Sequence, residues 1–222
     1  MLARLVITTV AASAVCGFAV GSVHSRLFAI RNLVKFPLLI MLTSAICAAA
    51  YYVSSVFIAP RLTFAEAEIL SLRTFRDVSV LLASLAPVLY FLALTIDQPD
   101  RSGLGEYPLF LGLNVLLIAA AGSVALVCRA IVLARAKGLS AARSGLVVGT
   151  WLAISLFVGG QCAWYLRPFY GVSTVPAPFI LGRAPDYRGA TSIYEAVWNV
   201  VTSPPLDTDY YKDKYRLRGS ES

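Results

Sequence analysis

Five stretches of the chain, at residues 5–25, 36–58, 78–96, 107–128 and 144–166, contain no Asp, Glu, Lys or Arg and are bounded by charged residues. Each has 19 residues or more. At about 1.5 Å of rise per residue, a helix of that length crosses a hydrocarbon core of roughly 30 Å. The pattern predicts an all-α integral membrane bundle of five transmembrane helices over residues 1–170. An extramembrane tail over 171–222 carries a short amphipathic helix.

The first run also resembles the charged and apolar regions of a signal peptide, because Arg4 precedes residues 5–20. We expect a retained helix, since the run continues to Ser25 and Gly17 and Gly21 form a small-residue pair suited to helix contact. Were it only to lie on the surface, four spans would remain. Pro37, just after Lys35 and Phe36, is placed in the first turn of the second helix, where a missing amide costs nothing; Lys35 then falls at headgroup level. Ser44 and Ala48 share one face and permit close packing.

Thr63 and Glu66 match a capping box, so the third helix starts before its apolar run. Residues 64–77 mix apolar positions with Glu66, Glu68, Arg73 and Arg76 and read as an interfacial amphipathic piece. Pro87 lies within the run and is expected to kink the helix. Asp97, Asp100 and Glu106 belong to a polar turn-rich connection and form no metal site. Arg129, Arg135, Lys137 and Arg143 make the clearest basic cluster, which the positive-inside rule places in the cytoplasm with the N-terminus, and the tail opposite. In the tail, Ser192 and Glu195 form a second capping box, and Ile193, Val197, Val200 and Val201 follow a helical stripe over about 192–201.

Composition agrees with the runs: 58% of the residues are hydrophobic and 14% charged, against roughly a quarter charged in soluble domains. The net charge of +7 is spread over loops and tail, with no basic, aromatic-interleaved domain. It fits anionic lipid headgroups rather than nucleic acid. Cys16, Cys47, Cys128 and Cys162 fall in or at the edge of apolar runs, without disulfide or metal-ligand spacing. No enzyme motif is present, no carboxylate lies inside a run, and the single histidine, His24, has no acid or nucleophile near it in sequence. No cofactor is implied.

The richest local sequence is GQCAWYLRPF at residues 160–169. Gln161, Trp164 and Pro168 share a helical face, and Ser155, Gly159 and Ala163 form a small-residue stripe for helix contact. Two readings are open. In one, Gln161 bonds a neighbouring helix while Trp164 and Tyr165 anchor the interface beside Arg167. In the other, Gln161 and Arg167 line a polar cavity for an anionic headgroup or solute.

Together with KFPLLIMLT at 35–43 and LASLAPVLY at 82–90, this stretch resembles motifs of a family of uncharacterised bacterial multi-pass membrane proteins, over roughly residues 26–183. The resemblance implies a bundle in a bacterial inner membrane and singles out Lys35, Pro37, Pro87, Gln161, Trp164, Arg167 and Pro168. It implies no activity. The expectation is a non-enzymatic interaction or assembly subunit, or membrane organiser, with a membrane-protein partner or self-association. The alternatives are a small transporter or channel, or a lipid-binding protein.

Overall fold

A computed structural model describes residues 2–22, 25–58, 62–95, 107–166, 191–192, 194–195 and 198, with the backbone alone for 107–112. Five helices follow one another: α1 (Leu2–Gly21), α2 (Arg26–Ile58), α3 (Phe64–Thr95), α4 (Tyr107–Ala136) and α5 (Ala141–Leu166). All five are long and apolar enough to cross a membrane. No strand occurs among the described residues.

The helix ends differ from the charge boundaries in the sequence. α2 begins at Arg26, where the Phe28 amide donates to Ser25 Oγ at 3.2 Å and the Ala29 amide to the Ser25 carbonyl at 3.0 Å. Pro37 is therefore in the helix interior, not in the first turn, and leaves the Leu33 carbonyl without its usual donor. Arg31 and Lys35 had marked a false boundary: a charge on a helix does not end it when the neighbouring positions still have a face to bury.

α3 starts where the capping box predicts. The Thr63 amide donates to Glu66 Oε2 at 2.9 Å, and the Glu66 amide to Thr63 Oγ1 at 3.4 Å. Residues 64–77 form the first half of one continuous helix, and Ala67, Leu70, Ser71 and Thr74 are buried in the bundle. α4 runs two turns past Cys128. There Gly138, at φ +65°, closes it: the Gly138 amide reaches the Arg135 carbonyl at 3.0 Å and the Leu139 amide the Ala134 carbonyl at 3.1 Å.

α2, α3, α4 and α5 form a closed ring in which each packs on two neighbours, and α1 fills the outer seam between α2 and α3. Contacts fix the directions. Gly21 meets Phe28 and Ala29 while Gly17 meets Asn32 and Phe36, so α1 and α2 are antiparallel. Phe18 stacks on Tyr90, and Thr8 and Arg76 line one cavity, so α1 and α3 are parallel. Thus α1 is a packed member of the bundle.

At Gly17 a Cβ would stand 2.8 Å from Phe36 Cβ, and at Gly21 one would stand 2.8 Å from both the Ala29 Cα and the Phe28 carbonyl. Only glycine allows this backbone approach, as the small-residue pair suggested.

Two apolar clusters are stacked along the bundle. One joins Cys16, Val20, Phe36, Leu82, Leu89 and Leu166; the other joins Cys47, Tyr51, Leu70, Leu126, Val147 and Trp151. Between them Ser44 of α2 and Ser71 of α3 meet: their hydroxyls are 3.1 Å apart, and Ser71 Oγ donates to the Ser44 carbonyl at 2.9 Å. Other buried hydroxyls turn back onto their own helix, as Thr9 does to the Leu5 carbonyl at 2.7 Å.

The chain divides into two compact units, Met1–Leu181 and Gly182–Ser222. In the second, Tyr194, Glu195 and Trp198 are helical. Ser192 Oγ accepts from the Glu195 amide at 3.1 Å, while the Glu195 carboxylate accepts from the Thr191 amide at 2.8 Å, one residue earlier than a capping box at Ser192 requires. These bonds hold Glu195 below the usual carboxylate range. The stripe of Ile193, Val197, Val200 and Val201 lies outside the described residues.

Candidate functional site

The described residues among those singled out in the sequence come from α2, the second half of α3 and the last turns of α5. Phe36, Ala86, Leu89 and Leu166 share a core cluster, with Ala163 against it, so the 35–37, 86–89 and 161–166 segments meet. Their side chains point in different directions. Lys35 is 1% exposed inside the bundle, and Pro37 is buried beside it. The reason is again that α2 starts at Arg26, which carries Lys35 more than two turns into the helix. Pro87 faces outward. Trp164 is buried, whereas its neighbour Tyr165 is exposed. Arg167 and Pro168 lie outside the described residues, as do His24 and the acids Asp97, Asp100 and Glu106.

Gln161 Oε1 is buried and accepts no hydrogen bond. A carbonyl oxygen left so in an apolar interior costs free energy on the order of 1–3 kcal/mol. No neighbouring helix among the described residues offers Gln161 Oε1 a donor. The small-residue stripe of the same helix does meet α2: Ser155 Oγ pairs with Tyr51 Oη, and a Cβ on Gly159 would touch Thr43 Cγ2 at 3.7 Å. Two turns earlier Trp151, 1% exposed, stacks on Tyr51 with ring centroids 4.8 Å apart and donates from Nε1 to Ser54 Oγ at 3.2 Å.

α3 and α4 carry a charge cluster that the sequence reading left unassembled. Asp77 sits one residue before the apolar run of α3 and Arg129 one residue after that of α4. In an antiparallel pair these positions fall at the same height, which is the signal that would have found them. Arg129 Nε donates to Asp77 Oδ2 at 2.8 Å, with Nη2 on the same oxygen, while Arg76 donates to Oδ1 from Nε at 2.9 Å and from Nη2 at 2.5 Å. The carboxylate thus bridges two guanidiniums. Outside it, Lys137 Nζ pairs with Glu66 Oε1 at 2.6 Å. The Lys137 ammonium, first, and then the Thr63 amide hold Glu66 below the usual carboxylate range.

Beside this cluster opens a cavity of about 540 Å³, lined by Arg4, Leu5 and Thr8 of α1 and Arg76 of α3. None of the residues singled out in the sequence lines it. Among the described residues no group of three His, Cys, Asp or Glu side chains is placed to hold a metal ion.

No protein-family model matches this chain, and neither does any curated protein or solved structure.

Proposed function

We propose that this chain is a multi-pass protein of a bacterial cytoplasmic membrane that performs no chemistry of its own and serves as an interaction or assembly subunit. The observation that carries the reading is where its interior polar groups go. Ser44 pairs with Ser71 across α2 and α3, Tyr51 with Ser155 and Trp151 with Ser54 across α2 and α5, and Asp77 with Arg129 across α3 and α4. Groups spent on helix seams hold a bundle together and are not free to act on a substrate.

The outer surface supports the same reading. α4 and α5 expose Leu116, Val124, Val132, Leu146 and Phe157, a broad apolar face for lipid or a further helix. The Arg4, Arg129 and Lys137 end is the cytoplasmic one in this proposal, by the positive-inside rule.

The test is native mass spectrometry of the full chain released from nanodiscs, paired with solute flux in proteoliposomes. A defined stoichiometric assembly without flux is expected. A monomer that carries a solute and passes it across the bilayer would overturn the proposal. That outcome belongs to the second reading, a small transporter or binding protein, which the unpartnered Gln161 Oε1 favours. In that case Gln161→Leu abolishes flux.

A further inference from the structure

We propose that the cavity between α1 and α3 binds the phosphate headgroup of an anionic phospholipid. The inference rests on the membrane-spanning reading of the helices and not on the assembly role. Two arginines from different helices, Arg4 and Arg76, line the same space. Arg76 already shares Asp77 with Arg129, and Glu66 is engaged by Lys137. Arg4 has no acidic partner among the described residues. Two arginines share one carboxylate and Arg4 adds a third positive charge beside Arg76, and a phosphate offers the paired oxygens that a guanidinium fork matches.

Depth distinguishes a lipid from a dissolved anion. Arg4 immediately precedes the charge-free run of α1, and Arg76 stands two residues before that of α3. Each therefore borders an apolar stretch of its helix. The floor of the cavity is apolar at Leu5. By helical spacing Ile7 follows Arg4 and Val80 follows Arg76 along the same faces, and these side chains are 66% and 46% exposed. An acyl chain leaving a phosphate in the cavity would run along them. Thr8 refines the chemistry: its hydroxyl donates to the Arg4 carbonyl at 2.7 Å, so toward the cavity it offers an acceptor, suited to a headgroup that bears hydroxyls.

The experiment is titration of the full chain in neutral detergent with phosphatidylglycerol, with phosphatidylcholine and with inorganic phosphate, read as bound adducts by native mass spectrometry. Phosphatidylglycerol should bind most tightly. Arg4→Gln should weaken it about tenfold, the scale of one charge-assisted bidentate contact, and Arg4→Lys, which keeps the charge but loses the fork, should fall between. Arg143→Gln removes an exposed arginine of α5 and should change nothing. Arg4 is exposed and spends no side-chain bond on the fold, so its variants should unfold like the parent in the same detergent. Equal affinity for phosphatidylcholine, or undiminished binding by Arg4→Gln, would overturn the inference. Displacement of the lipid by inorganic phosphate at matched concentration would overturn the lipid assignment in favour of a free-anion site. A monomer that keeps phosphatidylglycerol selectivity counts against the assembly proposal alone, and an assembly without selectivity against this inference alone.

Discussion

Gly17→Ala is the sharpest probe of how α1 is held. The added methyl would meet Phe36 Cβ at 2.8 Å and Asn32 backbone atoms at 3.0 Å or less. A backbone cannot swing aside as a flexible side chain can, so α1 must lift. Ordinary Cβ contacts begin near 3.4 Å, so clearing Phe36 Cβ from 2.8 Å needs about 0.6 Å of separation, and the Asn32 carbonyl oxygen, closer still, needs about 1 Å. A gap of that size forfeits roughly a quarter to a half of the dispersion attraction of each contact it opens, and overpacking of this kind costs about 1–3 kcal/mol. Alanine returns up to about 1 kcal/mol of helix propensity. The net expectation is a loss on the order of 1–2 kcal/mol.

Gly149→Ala is the internal comparison, since nothing lies within 4 Å of a Cβ there. It should be neutral or stabilising by up to about 1 kcal/mol. Denaturant-driven unfolding in mixed micelles, followed by circular dichroism, measures both. A second readout is local: Cys16 is buried next to Gly17, so in a Cys128→Ser background maleimide labelling of Cys16 should rise in the Gly17 variant. If Gly17→Ala is as stable as the parent and Cys16 stays protected, the close approach of α1 to α2 does not exist.

Trp151→Ala removes a side chain that is 1% exposed and packs on Tyr51, and should cost about 3 kcal/mol, read by the same unfolding assay. Asp77→Asn should cost about 1 kcal/mol, because the bridged charges are about a third exposed and partly screened; a double-mutant cycle with Arg129→Gln should return a coupling of the same order, and zero coupling would refute the bridge. Glu66 has a lowered folded-state pKa, so its contribution is present above the ordinary carboxylate pKa and is lost as pH falls through the lowered value. Glu66→Gln should therefore flatten the acid side of the stability profile, and an unchanged acid limb would show that Lys137 does not stabilise Glu66.

How much of this was legible depended on range. Uninterrupted apolar runs are local, and they marked all five helices. Capping at Thr63 and Glu66 is also local and gave the start of α3 to the residue. Chain charges misled where burial is tertiary: Lys35 looked like a boundary because nothing nearby in sequence says that α2 keeps packing from Arg26 onward. Asp77 and Arg129 are 52 positions apart, so their bridge needed the antiparallel pairing of α3 and α4 before either meant anything. Gln161 was legible as a polar residue in an apolar run. That its Oε1 lacks a donor was not, since only the packed neighbours decide it.

The ring has one seam unlike the others. α2 touches α3, and α3 touches α4, through neighbours in the chain, but α2 meets α5 through Tyr51 and Ser155, 104 positions apart. Loop-closure entropy grows with that separation, so the α2–α5 joint is the last to form as the polypeptide is made and the costliest to restore once parted. Until α5 emerges, Tyr51 has neither Trp151 to stack on nor Ser155 to pair with, and the polar flank of α2 faces lipid or whatever protein attends insertion. The residues that close this seam, Ser54, Tyr51, Trp151 and Ser155, therefore serve as a latch as well as a core.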